Sequence, residues 1–100
     1  MAKGEKVYSI EIEVINKRGT CNAGHEVGDT FLITGDTDRF SCQGICIHAL
    51  YSMFPKFIAM RYGAHFPWAN DDPDIALHAC PDAANPVVFQ LRRISKKEEL

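Results

Sequence analysis

No run of about 18 apolar residues occurs anywhere in the chain, so the sequence predicts no membrane-spanning helix. The first six residues are mostly charged or small, without the apolar centre of a signal peptide, which points to a cytoplasmic protein. Charge of one sign is also missing. Lys and Arg number 11 against 13 Asp and Glu, a formal net charge of -2, so the basic excess of a nucleic-acid binder is absent. There is no phosphate-cradling glycine loop, no dinucleotide fingerprint and no nucleophile elbow. Cysteine is scarce too. Four in 100 residues fall below the density of a disulfide scaffold, and in a reducing compartment they stay thiols. They are therefore inert buried residues, reactive thiols or metal ligands.

What is present suffices for one small core: 46% of the residues are hydrophobic. Alternation of Tyr8, Ile10, Ile12 and Val14 with Ser9, Glu11 and Glu13 predicts a half-buried strand over 7–15. A loop rich in Gly and Asn follows, and then a short β-branched and aromatic strand over 30–34. From 43 to 62 the period becomes helical. Ile47, Leu50, Phe54 and Ile58 form a stripe that Ala49, Met53 and Phe57 widen, and Gly63 supplies the stop. Pro55 interrupts it, predicting one kinked helix or two short ones. Strands over 75–80 and 87–94 enclose a turn with two prolines, which suits a hairpin. The order β-β-α-β-β predicts an α+β fold, a four-stranded antiparallel sheet covered on one face by the helical region. Residues 1–94 form a single domain and 95–100 a solvated tail.

Chemistry concentrates in the thiols. Cys42 and Cys46 form a C-x3-C at the expected helix start, where exposed amides and the dipole favour a thiolate. In a helical turn both sulfurs face one way, although Gly44 weakens that turn. Cys21 follows the first strand and Cys80 ends the third. A strand end, a post-strand loop and a helix start often meet at one end of a sheet. Three thiolates converging there fit a [4Fe–4S] cluster, with zinc as the alternative metal. Cys42, His78 and His25 are then the choices for a further ligand. His78 shares a strand face with Cys80, and His25 lies four residues past Cys21. His48, two residues past Cys46, is expected off that face.

The competing readings are a reactive thiol at Cys46 with Cys42 resolving it, and an interaction module with inert cysteines. Arg61 lies on the apolar stripe amid aromatics. It is either an anion clamp beside the site or a tie from the helix to a loop carboxylate. Trp68 either borders the site or forms a partner surface. The run from Asp71 to Asp74 lacks the glycine and distal Glu of an EF-hand and is read as a turn.

Gly19-Thr20-Cys21 with Gly24-His25-Glu26-Val27-Gly28-Asp29, Gly44-Ile45-Cys46, Arg61-Tyr62-Gly63 with Phe66-Pro67-Trp68, and Ala79-Cys80-Pro81-Asp82 with Asn85-Pro86-Val87-Val88-Phe89 together resemble a family of small uncharacterised prokaryotic proteins, many from anaerobes. The resemblance implies that Cys21, Cys46 and Cys80 form the unit and that Cys42 stands outside it. The family often has proline after the helix-start cysteine, where this chain has Ile47. An oxygen-sensitive cluster would fit the anaerobic bias. The sequence expects a redox or small-molecule partner, no nucleic acid, no membrane, and leaves room for a homo-oligomer.

Overall fold

A computed structural model describes residues 7–40, 42–68 and 72–94. The expected tail over 95–100, and Asp71 of the acidic run, lie outside the described residues. The elements are β1 (Ser9–Lys17), β2 (Thr30–Ile33), α1 (Ile47–Arg61), β3 (Ile75–Ala79) and β4 (Val87–Ile94). The strands make one antiparallel sheet in the order β2-β1-β4-β3, with α1 against one face, as the α+β expectation has it.

Alternation decides the faces. Ile10, Ile12 and Val14 of β1 sit opposite Arg93, Leu91 and Phe89 of β4, and all six are buried. Ile33 and Ala76 extend that face on the two outer strands. The reverse face carries Glu11 and Arg92, paired at 3.3 Å, and stays wet. Between Val14 and Asn16 the register with β4 slips by one residue. This bulge leaves Ile15 partly exposed.

The helix corrects the sequence reading twice. It begins at Ile47, not at 43, because Gly44 takes a left-handed φ of +89° that a helical turn cannot use. Cys42 therefore lies before the helix, and the C-x3-C does not form one helical turn. Pro55 stands inside one continuous helix, so the two-helix arrangement is excluded. The stripe is also rotated. Ala49, Met53, Phe57 and Met60 are buried, whereas Ile47 (74% exposed) and Phe54 (44%) face outward. Both stripes are apolar and both have helical spacing, so periodicity cannot choose between them. The smaller and more pliable set is the one against the sheet.

At its far end α1 closes with Gly63 at φ +94°. Gly63 N–H donates to Met60 O and Ala64 N–H to Ala59 O, the paired bonds of a Schellman motif.

Candidate functional site: a recess lined by three thiols

Three connections meet at one end of the sheet. The first leaves β1 and turns tightly at Cys21, where Gly24 N–H donates to Cys21 O at 2.9 Å and Gly24 takes a φ of +77°. The second is the start of α1, with Cys46 as its N-cap residue. The third is the β3–β4 turn, opened by Cys80. Cys21, Cys46 and Cys80 line one recess of about 310 Å³, shared with His48, Asn22 and Asp82.

The turns are fastened to one another. Asn85 Oδ1 accepts from Thr20 N–H at 3.0 Å, and Pro86 O accepts from Arg18 N–H at 2.9 Å. The loop of Cys21 is thus tied to the turn of Cys80. Asp82 shapes that turn by accepting from Ala84 N–H and Asn85 N–H through Oδ1. Cys80 Sγ accepts from Val87 N–H at 3.3 Å. Such amide donors stabilise negative charge on sulfur. The sequence marks Asn85 only as part of a motif and gives it no role. An Asp and an Asn three apart between two prolines were its signal.

Cys46 is set from the other side. Its backbone N–H donates to His25 Nε2 at 3.0 Å. His25 is 3% exposed, edge-on to Phe31 at 5.4 Å and Phe89 at 5.7 Å. No side chain caps α1, and its first turn holds no acidic residue, so the positive helix end is left uncompensated beside the Cys46 thiol.

The other candidates go elsewhere. Cys42 packs against the hydrophobic core and is absent from the recess lining. Burial pushes its thiol up from the ordinary value, and a backbone hydrogen bond from Leu32 only partly opposes this. His78 turns to α1, with Nε2 at 2.8 Å from Ser52 Oγ and Nδ1 at 3.3 Å from Lys56 Nζ. Ser52 Oγ spends its proton on Ala49 O, and Lys56 can only donate, so the network selects the Nε2–H tautomer. Burial, and then the Lys56 charge, hold His78 below the usual imidazole range.

Arg61 fulfils the tie and not the clamp. It is buried and donates to Thr34 O at 2.6 Å, Thr37 O at 2.8 Å and Asp38 Oδ1 at 3.1 Å. Trp68 stacks on Phe66 at 4.9 Å and does not line the recess. Neither residue backs the thiols. The residue the sequence misplaced is His48, which lines the recess beside Cys46.

Among the described residues, no three His, Cys, Asp or Glu side chains are gathered to hold a single metal ion. Compared with protein-family models, curated proteins and solved structures, the chain matches none of them.

Proposed function

We propose that this protein is a small cysteine-ligated metalloprotein that binds a [4Fe–4S] cluster through Cys21, Cys46 and Cys80. The observation that carries the proposal is the lining of one recess by three of the four thiols, from which Cys42 is absent. The donor set fits such a group. Each thiolate of a cluster binds its own iron, so the ligands need not crowd around one point as zinc requires. The Val87 amide on Cys80 and the uncapped start of α1 favour the negative charge that three thiolates bring. Bound through these three thiolates alone, the group would supply one iron open to a further donor or a small molecule, which suits redox or sulfur and small-molecule chemistry.

The chain's own contribution is to hold the donors. His25 fixes the backbone of Cys46, and Asn85 holds the Cys21 loop against the Cys80 turn. On this reading the protein works in the cytoplasm with a redox or small-molecule partner, and it groups with the prokaryotic proteins that share its three cysteines.

The test is anaerobic purification with iron, sulfide and zinc analysis and visible absorption. Equimolar iron and sulfide with a broad visible band is expected, lost in Cys21→Ser, Cys46→Ser and Cys80→Ser and kept in Cys42→Ser. A colourless, metal-free protein that resists reconstitution overturns the proposal, and zinc alone makes the recess a structural zinc site. A metal-free protein whose Cys46 is alkylated far faster than free cysteine would be the reactive-thiol protein instead.

A further inference from the structure

We infer that His48 is the fourth protein donor in the recess, completing the set with Cys21, Cys46 and Cys80. This rests on the cluster-binding reading and goes beyond it by naming the residue at the remaining position. The four histidines separate cleanly. His25 Nε2 is occupied by the Cys46 amide. His78 has both ring nitrogens engaged, by Ser52 and Lys56. His65 is not part of the recess. His48 alone among them lines it, and among the described residues nothing hydrogen-bonds its ring.

The competing donors are spent or misplaced. Cys42 lies outside the lining. Asp82 lines the recess, but both carboxylate oxygens are committed to the turn, Oδ1 to Ala84 and Asn85 amides and Oδ2 to Asn85 Nδ2. Local geometry explains how His48 reaches the same space as Cys46. Cys46 is the cap residue, with φ -59° and ψ 132°, so it lies off the helical spiral. The rule that residues two apart face away from each other applies only within that spiral. A neutral imidazole is an established replacement for thiolate on iron and raises the reduction potential of the site.

The experiment is anaerobic reconstitution of the full chain with ferrous iron and sulfide, using protein labelled with nitrogen-15 in histidine. The reduced sample is then read by pulsed electron paramagnetic resonance. The expected result is a strongly coupled histidine nitrogen in the wild type, kept in Cys42→Ala and abolished in His48→Gln. A cluster signal without nitrogen coupling should remain in that variant. A cluster without nitrogen coupling in the wild type, or coupling that survives His48→Gln, overturns the inference and leaves the cluster reading standing. The wild-type spectrum decides even if the variant fails to fold. A wild type that takes up no iron and sulfide overturns both.

Discussion

The imidazole of His25 and the backbone of Cys46 are joined by a 3.0 Å hydrogen bond in which the Cys46 amide donates to Nε2. A loop residue thereby fixes the start of a helix whose cap residue lies 21 residues later in sequence. His25→Phe keeps the ring contacts with Phe31 and Phe89 but removes the acceptor. It should cost about 1–3 kcal/mol, the penalty for an unpaired amide in a part-buried place. Urea unfolding followed by circular dichroism measures it, and a loss within 0.3 kcal/mol of zero, roughly the scatter between independent sites, would remove His25 from the scaffold of the recess.

Acid should destabilise the fold through His78. Its folded imidazole titrates below the ordinary 6.5, so the unfolded chain binds more protons as the pH falls. The stability it contributes is complete above 6.5 and is lost as the pH drops from there through the folded value. The urea midpoint of the wild type should therefore decline below 6.5. His78→Gln should flatten the decline. Lys56→Met should shallow it, since the Lys56 charge is the second cause of the shift. An unchanged profile in His78→Gln would assign the acid response to other groups.

Arg93 should be the most costly arginine to lose. It is buried, with Nη1 donating to Met60 O at 2.7 Å and Ala64 O at 2.9 Å, Nη2 to Pro73 O at 2.7 Å and Nε to Asp74 Oδ1 at 3.1 Å. Arg93→Met leaves those carbonyls unpaired and should cost about 3 kcal/mol. Lys17→Met, which breaks an ion pair with the exposed Glu26, should cost under about 1 kcal/mol. Equal losses in thermal or urea unfolding would contradict this ranking.

Two glycines separate strain from collision. A Cβ on Gly19 would collide with Asn85 Oδ1, whereas one on Gly24 meets nothing within 4 Å. Both take positive φ, so each alanine variant pays about 1–2 kcal/mol of backbone strain. Gly19→Ala should also open the clasp between the Cys21 loop and the Cys80 turn. It should therefore lower iron and sulfide uptake on reconstitution, while Gly24→Ala keeps it.

Cys42 should be the slow thiol. Burial raises its pKa, so at pH 8 it should react with a maleimide more slowly than free cysteine. Mass spectrometry of the partly labelled chain shows the order. Modification of Cys42 first would contradict the burial that raises its pKa.

The strands were legible because alternation survives in them: Ile10, Ile12 and Val14 against Glu11 and Glu13 admit one assignment of faces. The helix was less so, since Ile47, Phe54 and Ile58 have the same spacing as Met53, Phe57 and Met60, and only the sheet decides which set is buried. Arg93 was given no role from the sequence. Its parity with Val87, Phe89 and Leu91 was the neglected signal that it points inward. The grouping of Cys21, Cys46 and Cys80 followed from their positions at element ends. The place of His48 did not, because counting along a helix fails at a cap residue.

The strand order has a consequence for how the chain matures. β1 pairs along its length with β4, the last of the described strands, and with β2 over only four positions. As the chain leaves the ribosome, the central partner of β1 arrives only after β2, α1 and β3 have been made. Until then the sheet has no middle, and the Cys80 turn has no Val87 strand to close on. The recess therefore comes together only after β4 has been made.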